Sequence, residues 1–187
     1  MLLRDEPAAV EVVSSELLFE GAIWNVRSDR FVFGGEELER QYVEHPGAVA
    51  VVAVDDQRRV LLIQQYRHPI GHRDWELPAG LLDVRGEEPF SAVQRELAEE
   101  ADLRAERWEP LVETWTTPGG NSELIRIYLA TGITAAEEAF TREAEEADIR
   151  LQWVDLAEAA AAAARGDVRN AILMIGVMAA DRRVNGA

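Results

Sequence analysis

The chain has 187 residues, 48% of them hydrophobic, with 35 acidic against 19 basic side chains and a formal net charge of −16. That length holds one moderate domain plus an appendage, and the apolar fraction argues against a disordered chain. The negative balance disfavours nucleic-acid binding, which draws on basic surface. It also makes an anionic substrate awkward unless a bound cation offsets the local charge.

Every basic residue is Arg, which excludes lysine Schiff-base chemistry and a P-loop lysine. Cys is absent, so there is no disulfide, thiolate nucleophile or Cys-ligated zinc. The opening MLLRDEPAAV is charged and lacks the apolar run of a signal peptide. No charge-free apolar stretch approaches the ~18 residues that span a bilayer. A soluble cytoplasmic protein without membrane contact is the expectation.

In chain order, residues 1–7 read as a loose tail. Three strands follow, over 12–19, 24–33 and 38–43, the last two joined at Gly34-Gly35, a hairpin signal. A sheet this small buries little alone and needs a partner surface. His45-Pro46-Gly47 marks a boundary, giving an N-terminal β subdomain over 1–44 and a main domain over 45–187. Residues 48–54, AVAVVAV, form the continuous apolar run of a strand buried on both faces. Residues 60–66 return after the Asp55-Asp56-Gln57 turn. A short strand over Trp75-Glu76-Leu77-Pro78 is expected to break at Ala79-Gly80. Pro89 suits the first turn of a helix, where no backbone donor is required.

Further on, residues 108–115 read as strand and 116–120 as loop. Residues 122–131 alternate, with Ile125, Ile127 and Leu129 on one face and Arg126 and Tyr128 opposite. Residues 141–148, TREAEEAD, form an acidic loop, and 149–153 a strand. Asp155 is expected to cap a helix over 156–164 that Gly166 stops, and Asp167 to cap the last helix. Strands, one helix, more strands, then helices indicate an α+β sandwich.

The helix after Pro89 carries the chemistry. Residues three and four apart share a helical face, so Glu96 and Glu100 point the same way, ~6 Å apart along the axis. Glu99 lies near both. Like charges at this spacing destabilise a bare helix by a few tenths of a kcal/mol, and a cation reverses that sign. Hard divalent ions such as Mg²⁺ prefer carboxylate oxygens and keep waters and substrate phosphates in their remaining positions. The patch therefore reads as a platform for metal and phosphate.

The string Gly80, Glu87, Arg95, Glu96, Leu97, Glu99, Glu100, Leu103 resembles the Nudix box, G-x5-E-x7-R-E-U-x-E-E-x-G-U, with U aliphatic. There are two departures. The gap from Gly80 to Glu87 is one residue longer than the pattern, so Leu81 takes the strict glycine position. Asp102 replaces the last Gly, and Asp is a second choice for a left-handed helix cap. The resemblance continues through HPGAVAVVAVDD, QQYRHP, WELPAG, the Thr117-Pro118-Gly119-Gly120-Asn121-Ser122-Glu123 loop and the final helices. There it is similar to the ADP-ribose pyrophosphatase subfamily, and it covers nearly the whole chain.

That resemblance implies a Nudix-type α/β/α sandwich with an N-terminal antiparallel β-sheet subdomain, one exchanged across a homodimer in the subfamily. It implies Mg²⁺, with Mn²⁺ as an alternative, held by the carbonyl of Ala79 with Glu96 and Glu100, and Glu99 as a further ligand. Arg95 would pair with a neighbouring carboxylate. Arg67 and Glu76 would contact the ribose-phosphate part of the substrate, and the Pro118 loop would help define it. A glutamate of the acidic loop would act as base or orient water, with Glu146 matching best and Glu145 next. Trp24 or Phe31 would stack on adenine and Arg27 would meet phosphate or base. The three histidines lack metal-ligand spacing. The implied activity is Mg-dependent hydrolysis of ADP-ribose to AMP and ribose 5-phosphate. Its alternatives are a pyrophosphatase for another nucleoside diphosphate sugar and a non-catalytic ADP-ribose sensor.

Overall fold

The computed structural model describes residues 3–137, 140 and 148–186. They form two compact units, one drawn from residues 3–46 with 117–123 and the other from residues 47–116 with the described residues after 123. The first holds an antiparallel sheet of β1 (Glu11–Glu20), β2 (Asn25–Phe33) and β3 (Glu36–Glu44), in that order. Gly34 and Gly35 both have positive φ, 63° and 86°, as a tight hairpin turn requires. The loop 117–123 is fastened to the end of β3. Val43 N–H donates to the Gly120 carbonyl at 2.9 Å, and Ser122 N–H donates to the Val43 carbonyl at 3.0 Å. The strand spacing alone gave no sign that this distant loop joins the N-terminal sheet.

The second unit is built on β4 (Ala48–Val54), whose seven residues are all buried. It pairs in parallel with β9 (Leu124–Ala135) and antiparallel with β5 (Arg59–Arg67) and β7 (Ala79–Leu81). β10 (Arg150–Asp155) and β6 (His72–Glu76) pair with β5, and β8 (Leu103–Trp115) with β9, completing seven strands. A period-two chain sends alternate side chains to opposite faces. Val49, Val51 and Ala53 accordingly face α1 (Pro89–Ala101), beside its Ala92, Val93 and Leu97 and β9's Tyr128. Ala50, Val52 and Val54 face α2 (Leu156–Arg165) and α3 (Ala171–Asn185), with Ile125, Ile127 and Leu129. Helices on both faces of a mixed sheet are the expected α/β/α sandwich of an α+β chain.

Two sequence expectations are corrected. Ala79-Gly80 does not break a strand; it starts β7, with Gly80 opposite Val49. Asp167 does not cap the last helix. Its carboxylate pairs with Arg165, and Asn170 caps α3 by accepting from Leu173 N–H at 3.0 Å. Asp and Asn are equally good caps, so the apolar register of α3, not the cap residue, sets where that helix begins. Asp155 does cap α2, accepting from Glu158 N–H, and Gly166 ends it with φ 77°.

α3 lies close to the sheet because it carries Gly176. A Cβ there meets Leu77 Cδ1 at 2.6 Å and Val52 Cγ2 at 3.1 Å. Gly176→Val is expected to lower unfolding free energy by about 1–3 kcal/mol through overpacking. A denaturant titration checks this, the midpoint falling with the slope unchanged.

Candidate active site

The acidic site sits where β7 passes under α1. Helix α1 begins at Pro89 and ends at Asp102, whose left-handed φ of 55° and ψ of 37° make it the C-cap. The Asp102 N–H closes the last turn on the Ala98 carbonyl. Asp thus takes the conformation usually given to Gly, and its side chain does more than cap: Oδ1 accepts from Phe140 N–H at 2.8 Å. The motif offered no signal for that contact.

Glu96 lies directly over Gly80. A Cβ built on Gly80 falls 1.9 Å from the Glu96 carboxyl carbon, so only glycine leaves room for this carboxylate. The close approach fixes Gly80 opposite the helix, and the loop over 82–86, between β7 and Glu87, has room for the extra residue. Glu100, one turn on, is buried, and its Oε2 accepts from the Ala79 N–H at 2.8 Å. β7 therefore brings Ala79 to Glu100 and Gly80 to Glu96.

Arg95 ties the acidic groups together. Its Nε and Nη2 donate to the two Glu87 oxygens at 3.0 and 2.9 Å, and its Nη1 to Glu96 at 2.7 Å and Glu99 at 2.8 Å. These bonds hold Arg95 charged far above any working pH, the Glu87 pair contributing most. In return, Arg95 holds the Glu87 carboxyl below its ordinary 4.5. A depressed carboxyl contributes stability that is fully present above 4.5 and is lost as pH falls through the lower folded value. Melting temperature should therefore drop below pH 4.5. In Glu87→Gln that part of the pH profile should flatten, as scanning calorimetry across pH 3–6 would show.

A buried carboxylate paired with an arginine lies on the neighbouring strands. Arg67, ending β5, donates to Glu76 on β6 through Nε and Nη2, both at 2.7 Å. Glu76 is buried, and Gln65 Nε2 reaches its Oε2 at 3.4 Å. Two residues expected to touch substrate thus hold each other. Gln65 was not expected at all, because only the pairing of β5 with β6 brings it there.

In the N-terminal unit, Trp24 is half exposed and stacks on His45 with ring centres 6.0 Å apart. Arg27 bonds Ser15 Oγ through Nε and Nη2 at 3.1 and 3.0 Å, and Glu44 through Nη1 at 3.4 Å. Phe31 is on β2, and Pro118 is in the turn closed by Gly120 N–H to the Thr117 carbonyl. Glu145 and Glu146 lie outside the described residues. Their flanks are described: Phe140 is held by Asp102, and Asp148 pairs with Arg73.

Among the described residues, no three acidic or histidine side chains converge as a ready-made ion cage. Arg95 draws Glu96 and Glu99, while the Ala79 amide draws Glu100. The donors nevertheless suit a hard divalent ion. They are carboxylate oxygens one turn apart, one in a cradle that a Cβ would fill, and one buried on a backbone amide.

An α/β/α sandwich whose strand–loop–helix unit lays Glu96 on Gly80 and Glu100 on Ala79 has the architecture of a Nudix hydrolase. The chain belongs to the NUDIX family: the family's NUDIX domain matches residues 44–174. It is 46% identical over 170 residues to an ADP-ribose pyrophosphatase of Mycobacterium tuberculosis (strain ATCC 25618 / H37Rv), covering 90% of this chain and 82% of that one. It is 34% identical over 149 residues to a methanol dehydrogenase activator of Bacillus methanolicus, covering 79% and 77%. A solved structure described as an ADP compounds hydrolase superposes with a TM-score of 0.78 over 98% of both chains at 19% identity, a likeness of fold. Members of the family typically work with a divalent metal.

Proposed function

We propose that this protein hydrolyses the diphosphate of ADP-ribose to AMP and ribose 5-phosphate, using Mg²⁺ or, in its place, Mn²⁺. The observation that carries the choice of substrate is the 46% identity, over 90% of the chain, to the mycobacterial ADP-ribose pyrophosphatase. When bound, the ion supplies positive charge against the diphosphate and acidifies water. Glu96, Glu100 and the Ala79 carbonyl would hold it, with Glu99 as a further ligand. Arg95 keeps those carboxylates in register. Arg67 binds a phosphate oxygen. Glu146, or Glu145 beside it, takes the proton from the attacking water. Water oxygen bonds to phosphorus as the bridging P–O bond breaks, so the rate rests on placement and charge neutralisation.

Trp24 and Arg27 of the N-terminal sheet, with the Pro118 loop, serve the nucleoside end in this reading. A homodimer is part of the same proposal. β1 is exposed along its whole length, including Leu17, Leu18 and Phe19, and such an edge pairs with another chain unless covered. A cytoplasmic location fits the substrate class. No described helix is long and apolar enough to cross a membrane.

The test is incubation of the pure protein with ADP-ribose and Mg²⁺, with chromatographic identification of products. AMP and ribose 5-phosphate in equal amounts are expected; no AMP at any neutral or mildly alkaline pH contradicts the proposal. A second reading, a module that binds the nucleotide and regulates a partner, is favoured by the relative named as an activator of another enzyme. Tight binding in calorimetry without turnover would select it.

A further inference from the structure

We propose that Glu76 is not a substrate contact but a positioning residue: it aims the Arg67 guanidinium at a phosphate of the nucleoside diphosphate bound on α1. The inference rests on the diphosphate-hydrolase reading and assigns a different role to a residue of that site.

Four observations converge on it. First, both Glu76 oxygens are committed. Oε1 accepts from Arg67 Nε and Oε2 from Arg67 Nη2, each at 2.7 Å, and Gln65 Nε2 lies 3.4 Å from Oε2. Second, exposure differs sharply across the pair: the Glu76 side chain is 7% accessible and that of Arg67 46%. The carboxylate is inside and the guanidinium faces outward, which is the wrong way round for a carboxylate that greets substrate. Third, the fork uses Nε and Nη2 and leaves Nη1 with no hydrogen-bond partner among the described residues. A bidentate pair sets the plane of the guanidinium as well as its position. Fourth, the pair stands next to the acidic site. Glu76 is three residues before Ala79, whose amide holds Glu100. The Glu100 charge acts on Arg67 along with those of Glu76 and Asp74.

The physical gain is orientation. A free Arg side chain carries substantial rotamer entropy, which binding must otherwise overcome. Held by Glu76, Arg67 keeps one edge for the fork and presents the other to a tetrahedral anion. Gln65 completes the buried end, so the carboxylate has donors and no reason to swing outward. Arg67 also offsets the repulsion that Glu96, Glu99 and Glu100 exert on a diphosphate before a cation is considered.

Glu76→Gln, Arg67→Ala and the double variant form the test, read by steady-state kinetics on ADP-ribose with Mg²⁺ and by thermal melting. The amide in Glu76→Gln fills the same volume but repels one guanidinium N–H, loosening the aim. KM should rise about tenfold, with kcat changing far less, as for loss of binding shared by ground and transition states. Arg67→Ala should raise KM at least as much and lower the melting temperature, because it strands a buried carboxylate. Adding Glu76→Gln to Arg67→Ala should leave KM where it is and recover part of the melting temperature. Additive losses in kcat/KM, an unchanged KM in Glu76→Gln, or a fall in kcat alone would each overturn the assignment. Wild-type protein that neither binds nor cleaves ADP-ribose would overturn the diphosphate reading itself, and this inference with it.

Discussion

Glu96→Gln is expected to lower kcat/KM for ADP-ribose by about 10³-fold, the size seen when one group that stabilises transition-state charge is removed. Its fold should be intact. The amide keeps an oxygen for Arg95 Nη1, which now lies 2.7 Å from Glu96 Oε1. It also removes one of three neighbouring like charges, which costs a helix nothing. The melting temperature should therefore stay within a few degrees of wild type, by the usual scaling of stability to melting in a chain of this size. Full turnover in Glu96→Gln would mean that the metal assignment is wrong. Collapse of the fold would mean that the carboxylate is structural.

Gly80→Ala is expected to reach the same loss by a different route. The new methyl would occupy the space of the Glu96 carboxyl, 1.9 Å from its carbon. The obstructing atoms are the far end of a flexible side chain, so the fold yields by moving Glu96 and loses little stability. The moved carboxylate no longer stands beside Glu100, and an error of about 1 Å in a catalytic group can cost 10²-fold. Activity should fall at least that far while circular dichroism and melting remain close to wild type. If Gly80→Ala retains full turnover, the approach of Glu96 to β7 has no part in catalysis.

These two residues show what the sequence made legible. The i,i+4 spacing of Glu96 and Glu100 and the both-faces-buried run over 48–54 are local patterns, and local patterns survive folding. The Nudix box was readable despite its two departures, because the helix cannot slip while the loop over 82–88 can lengthen. Asp102 took the left-handed cap, as its chemistry allows. Illegible were relations between segments far apart in sequence. No periodicity joins Gln65 to Glu76, Asp102 to Phe140, or the 117–123 loop to β3; each depends on strand pairing or on where a helix ends. Ala79-Gly80 failed as a breaker because Gly suits a strand wherever a neighbour must approach closely. Here that neighbour is the Glu96 carboxylate, and the glycine that looked like punctuation is part of the site.

The central claim is that the carboxylates of α1 hold divalent ions against a diphosphate. Calorimetric titration with Mn²⁺ tests it most directly, comparing wild-type protein with the Glu96→Gln/Glu100→Gln double variant under identical conditions. Saturable uptake by wild type that disappears in the double variant is the expected result. Equal uptake by both proteins, or none by wild type, would contradict it.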